Sequence, residues 1–136
     1  MKTIKQSVVF RATPHEVYEA LMDSKKHAQF TGAKAVISRQ VGGKISAYDG
    51  WIEAVNEELV PDKKIVQKWR GADWPEGHWS TAVFEFTKVK EGTKLIFTQT
   101  YVPDDQVEHI SQGWKEHYWE RMKEMLERDF EKQNKK

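Results

Sequence analysis

The sequence predicts an α+β domain: a curved antiparallel sheet of about six to seven strands wrapped around a long C-terminal α-helix, with two short helices after the first strand. Three observations predict it. A helix-start signature, Thr13-Pro14-His15-Glu16, follows directly on a β-branched run. From Ala33 to Val102, apolar residues recur at period two between turn dipeptides, and beyond Asp104 the period becomes helical. A sheet and an amphipathic helix each have one apolar face, and packing them together buries both in one core.

The elements follow in order. Residues 3–10 form the first strand, with Val8, Val9 and Phe10 supplying bulk. Thr13 is the N-cap of the first helix, Pro14 occupies its first position and Glu16 completes a capping box. Val17, Ala20 and Leu21 are its apolar stripe, and Ser24 is expected to cap a second short helix that stops near Thr31-Gly32. Short strands are expected over 35–38 and 44–48, with a tight Asp49-Gly50 hairpin leading into a longer strand over 51–60. Pro61-Asp62 turns the chain into 64–70, where Ile65, Gln67 and Trp69 share a face. A loop over 71–78 precedes a strand over 79–89 with Ala82, Phe84 and Phe86 on one side. The last strand, 94–102, places Leu95, Phe97 and Tyr101 together. The final helix runs to about Glu131, roughly 25 residues or near 38 Å. Its core stripe is Val107, Ile110, Trp114, Tyr118, Met122 and Met125; Trp119, Leu126 and Phe130 form a second line, directed away. Gly113 lies inside this helix, which implies close packing there or a bend.

Length and composition bound the function. One domain over 1–136 is expected from 136 residues. With 38% hydrophobic residues the chain can bury enough surface to offset its entropy, so an ordered domain is expected. A net charge of +1 excludes a domain-wide field for phosphate capture, and Glu57, Glu58 and Asp62 offset the cluster of Lys63, Lys64, Lys68 and Arg70, so no nucleic-acid partner is expected. No stretch approaches the roughly 18–20 apolar residues of a membrane span. Zero cysteines remove disulfides and thiolate chemistry, and the N-terminus lacks a secretory core, so a cytoplasmic location is expected.

Motifs for catalysis are missing. His109 and His117 lie eight residues apart, too far for chelation from one helix face, and the sequence contains no HExxH, nucleophile elbow, P-loop or dinucleotide fingerprint. Neither a metal nor a cofactor is expected. Glu53 and Glu85 sit in strands and would serve acid–base chemistry only if they faced the interior. The unusual count is six tryptophans. Three of them lie around one loop, and Trp69, Arg70, Trp74, Glu76, His78 and Trp79 are the candidate partner-binding residues, because rigid aromatics beside arginine anchor protein interfaces. That reading requires Trp74 and His78 to be exposed; the competing one has Trp69 and Trp79 in the core with Trp74 covering the loop's base. The line Trp119, Leu126 and Phe130 is the second partner candidate, against a widened core face. A small hydrophobic ligand between sheet and helix is the alternative function, with Trp51, Phe84, Phe86, Phe97, Trp114, Tyr118 and Met122 as candidate cavity residues. Oligomeric state is not readable from this pattern.

The motifs Phe30-Thr31-Gly32-Ala33, Val41-Gly42-Gly43-Lys44, Asp49-Gly50, Leu59-Val60-Pro61, Ile65-Val66-Gln67-Lys68-Trp69-Arg70, Trp74-Pro75-Glu76-Gly77-His78, Thr98-Gln99-Thr100 and Gly113-Trp114-Lys115 occur in this order. Together they resemble the C-terminal domain of the activator of Hsp90 ATPase. The resemblance implies the helix-grip fold of the START-like superfamily, many of whose members bind lipids, sterols or polyketides and some of which are cyclases or hydrolases. It also implies a non-enzymatic, co-chaperone-type module with an Hsp90-type chaperone as partner. In the eukaryotic family a separate N-terminal domain makes the main contact with the Hsp90 middle domain, while the domain resembled here engages the Hsp90 N-terminal domains. The chain is expected to lack that separate domain, since its sequence starts at the first strand.

Overall fold

The computed structural model describes residues 1–134. Seven strands form one antiparallel sheet in the order β1-β7-β6-β5-β4-β3-β2. They are β1 (Lys2–Phe10), β2 (Val36–Ile37), β3 (Lys44–Ala47), β4 (Ile52–Val60), β5 (Lys64–Gly71), β6 (Ser80–Val89) and β7 (Gly92–Val102). Strands β2 to β7 are a simple meander, and β1 closes the row by pairing with β7. Two helices, α1 (Pro14–Met22) and α2 (Ser24–Thr31), separate β1 from β2. After a short 3₁₀ turn, α3 (Val107–Gly113), a π-helical segment (Trp114–Trp119) and α4 (Glu120–Asn134) run on as one C-terminal helix. The expected helix-grip α+β class is the observed one.

Local chemistry accounts for the starts and stops. The Thr13 hydroxyl accepts from the Glu16 N–H, and Glu16 accepts from the Thr13 N–H, which satisfies two otherwise orphaned donors of α1. The cap of α2 differs from expectation. Asp23, not Ser24, accepts from the N–H groups of Lys25 and Lys26, because its carboxylate is an acceptor only and stands one residue earlier. Those bonds hold its carboxyl below the usual range. Ser24 instead accepts from the Ile37 N–H and ties α2 to β2. The expected Asp49-Gly50 hairpin is a wider connection in which Tyr48, Asp49 and Gly50 all have positive φ. Trp51 therefore belongs to the turn.

Alternation along the strands places Ile65, Gln67 and Trp69 on β5, Ala82, Phe84 and Phe86 on β6, and Leu95, Phe97 and Gln99 on β7 on the buried face of the sheet. Glu53 and Glu85 are exposed on the opposite face, so neither faces the interior. Tyr101 breaks the expected pattern: it is 64% exposed rather than aligned with Leu95 and Phe97. The register between β1 and β7 shifts between Lys2 and Ile4, where Val102 and Gln99 are the partners. The extra residue on β7 is a bulge; Tyr101 takes φ 64° and turns out while Val102 turns in.

A second correction concerns the C-terminal helix. Trp119 and Leu126, read as a line pointing away from the core, are both 5% exposed. In a regular α-helix, residues five apart differ by about 140° around the axis. The π-helical turn bonds i to i+5 and brings such residues onto one side. Trp114 and Trp119 accordingly stack, with ring centroids 5.5 Å apart and planes at 17°. The Trp119 indole N–H donates to the Gln6 side chain at 2.6 Å, fastening the helix to β1. Gly113, at the start of this segment, is not there for close packing: a Cβ at that position meets nothing nearer than His117 Cδ2 at 4.0 Å.

Candidate functional site: the tryptophan loop and the adjoining cavity

Residues 72–79 connect β5 to β6 and end two tight turns, closed by Trp74 N–H to Gly71 O at 3.1 Å and His78 N–H to Pro75 O at 3.0 Å. Arg70 organises them. Its guanidinium donates to the carbonyls of Trp74 (2.8 Å), Pro75 (3.2 Å) and His78 (3.4 Å) and lies over the Trp79 ring. One planar cation thus satisfies three backbone acceptors that no regular structure would pair. His78 Nε2–H donates to the Tyr101 carbonyl at 2.8 Å, joining the loop to the bulge at the end of β7.

The candidate partner-binding residues therefore divide by position. Trp69 and Trp74 are interior, at 3% and 4% exposure. The expectation that Trp74 is exposed is overturned: its ring packs against Trp69 with centroids 5.3 Å apart and against His78 at 5.7 Å. The reason is volume. Gly71 has no side chain, and a Cβ there would lie 2.7 Å from the Trp51 ring and 3.0 Å from Trp74 Nε1. That gap lets two indoles pack over the strand end. Burial leaves Trp74 Nε1 without a hydrogen-bond partner. Arg70, His78 and Trp79 are half-buried and hold the loop, while Glu76 is exposed together with Asp73, Pro75 and Gly77. Tyr101, which the sequence reading did not single out, is the large exposed ring beside them.

Behind the loop lies an aromatic cluster. Trp69 meets Trp114 at 5.6 Å, and Trp114 meets Phe97 at 4.5 Å and Tyr118 at 4.6 Å. A buried polar chain runs through it: Trp114 Nε1–H donates to Gln99 Oε1 (2.8 Å), Gln99 Nε2 to Ser80 Oγ (2.9 Å), and Ser80 Oγ to the Trp69 carbonyl (2.7 Å). Helix and three strands are thereby pinned at one height. Nearby, His27 shares a 3.0 Å hydrogen bond with the Tyr118 hydroxyl, and burial holds its imidazole down to about 4. The same burial raises the Tyr118 phenol well above its ordinary value.

A cavity of about 350 Å³ opens between the β3–β4 turn, β5 and the start of the C-terminal helix. Of the candidate cavity residues, Trp51, Trp114 and Tyr118 line it. Phe84 instead borders an internal void of about 20 Å³, the size of one water. Phe86, Phe97 and Met122 line neither and are packed core, with Phe86 against Tyr18. The reason is again the π-helical turn, which fills the middle of the sheet–helix interface with Trp114 and Trp119, so that the larger opening lies toward one end. Among the described residues no group of three or more His, Asp or Glu is placed to hold a metal ion. Nor is any helix there long and apolar enough to cross a membrane.

A curved sheet closed on a C-terminal helix, with an arginine-clamped aromatic loop beside an apolar cavity, places this protein among the helix-grip domains. The chain belongs to the family described as Activator of Hsp90 ATPase homolog 1-like protein, whose match spans residues 11–127. A human protein named activator of 90 kDa heat shock protein ATPase homolog 1 is 34% identical over 122 residues, covering 90% of this chain and 36% of that protein. A Dictyostelium discoideum homolog is 34% identical over 123 residues, covering 90% and 32%. The chain thus spans about a third of the length of these curated relatives. The crystal structure of a Plasmodium falciparum Hsp90 activator superposes with a TM-score of 0.87 at 27% identity, covering 91% of this chain and 95% of that one. The solution structure of the Aha1 dimer from Colwellia psychrerythraea gives 0.80 at 21% identity, covering 93% and 96%, a likeness of fold.

Proposed function

We propose that this chain is a non-enzymatic protein-interaction module of co-chaperone type whose partner is an Hsp90-type chaperone. The observation that carries the reading is the family match across residues 11–127, with relatives named as Hsp90 ATPase activators. The loop geometry supplies the contact surface. Trp69 and Trp74 make the platform rigid from below, Arg70, His78 and Trp79 fix its backbone, and Glu76 and Tyr101 are what a partner meets. A surface ordered before binding loses little entropy on docking. The test is calorimetric titration of Glu76→Lys and Tyr101→Ala against the Hsp90 of the source organism. Each is expected to weaken binding by about fivefold or more with unchanged thermal stability. Affinity unchanged in both would place the contact elsewhere.

A second reading, carriage of a small hydrophobic ligand, is favoured by the cavity of about 350 Å³ and its mainly aromatic wall. Because Trp51 and Trp69 line the cavity and also pack at Gly71, where β5 ends, and against Trp74 of the loop, the two readings share a wall and are not mutually exclusive.

A further inference from the structure

We propose that the cavity takes an aromatic amine: a flat ring seated against Trp51, Trp69 and Trp114, with its protonated amino group at the rim beside Glu116. This deepens the ligand-carriage reading and rests on it. Space is the first argument. Gly113 borders the cavity inside a helix, where glycine costs about 1 kcal/mol relative to alanine. No neighbour requires it, since a Cβ there would approach only His117 at 4.0 Å, so the room it leaves belongs to the cavity. The π-helical turn forms the adjacent wall, and such turns recur at functional sites. Tyr48, opposite, is held at φ 51°, a conformation uncommon for a bulky residue, and its hydroxyl donates to the His117 carbonyl at 3.1 Å.

Polar chemistry selects the ligand. Three donors of the wall are already engaged, Tyr48 by His117 O, Trp114 by Gln99, and the Tyr118 hydroxyl by His27, while the Trp51 and Trp69 indoles are the faces on which the ring would sit. Acceptors at the rim are not exhausted. Glu116 receives one bond, from Gln112 Nε2 at 2.8 Å, which leaves its second oxygen and the Gln112 carbonyl. The imidazoles of His109 and His117 stand on the same rim. No lysine or arginine lines the cavity, and Arg121, whose charge reaches Tyr48, is turned to the Thr31 carbonyl at 3.3 Å. A carboxylate or phosphate would thus meet Glu116 with no lysine or arginine of the cavity wall to balance it. An ammonium meets a carboxylate, and aromatic walls attract cations as well as rings.

The test uses one ring with three charges: tryptamine, tryptophol and indole-3-propionate, each titrated into the chain and followed by amide NMR and calorimetry. Tryptamine is expected to bind about three- to tenfold tighter than tryptophol, a modest margin because Glu116 is exposed. Indole-3-propionate is expected to bind weakest. Glu116→Gln should bring tryptamine to the level of tryptophol, and Gly113→Leu should abolish all three. Indole-3-propionate binding as tightly as tryptamine would overturn the amine assignment and leave the carriage reading standing. Failure of all three to bind, or binding indifferent to Gly113→Leu, would overturn both.

Discussion

The hydrogen bond from Trp114 to Gln99 is the joint that sets helix against sheet, and Gln99→Met tests it. Methionine keeps the length and most of the volume of glutamine but has no amide. Both partners lie in the core, Gln99 at 0% and Trp114 at 3% exposure, so no water replaces the lost acceptor. The indole N–H is orphaned at a cost of about 1–3 kcal/mol, and the lost Gln99–Ser80 bond adds about 1 kcal/mol. Ser80 still donates to the Trp69 carbonyl, and removing a buried amide returns part of its desolvation. A net loss of about 2 kcal/mol is expected. Trp114→Phe removes the other partner, and the loss in the double variant should fall short of the sum of the two single losses by about 1–2 kcal/mol. Urea denaturation followed by far-UV circular dichroism measures all four corners of the cycle. Additivity within about 0.5 kcal/mol would refute the claim that this bond couples helix to sheet.

Three further outcomes are expected. His27 has a folded-state value of about 4 against an ordinary 6.5. The unfolded chain therefore takes up the proton first as pH falls. Stability from this group is fully present above about 6.5, declines toward about 4 and levels below, by about 3 kcal/mol at most. Proton NMR should show one imidazole titrating near 4, and urea melts of His27→Phe should lose that part of the slope between pH 7 and 4. Gly113→Ala should stabilise the helix by up to about 1 kcal/mol, because the added methyl meets open space; a fall in melting temperature would contradict that. Trp74→Ala should cost about 3–5 kcal/mol, whereas Trp74→Phe, which discards the unpartnered N–H, should cost clearly less; equal losses would argue against the orphaned donor.

Much of the architecture was written locally. The Thr13–Glu16 box, the period-two strands and the helical stripe each follow from residues adjacent in sequence, and the motif order placed the family. What could not be read depends on contacts across the fold. The π-helical turn turns Trp119 inward, and one extra residue on β7 turns Tyr101 outward; in neither case does the hydrophobic pattern differ from that of a regular element. Trp74 reads as a surface anchor because rigid aromatics beside an arginine mark interfaces, yet the space above Gly71 is filled by Trp51 and by Trp74 itself, whose ring packs on Trp69. Gln99 did carry a signal. It is a polar residue at an inward position of an alternating strand, which calls for a buried partner.

The most direct test of the co-chaperone account is calorimetric titration of the intact chain into the Hsp90 of its own organism, with ATP turnover followed in parallel. Saturable binding at about 10 µM or tighter, accompanied by faster turnover, is the predicted result. No heat and no change in turnover at several times that concentration would contradict it and leave the cavity as the functional centre of the molecule.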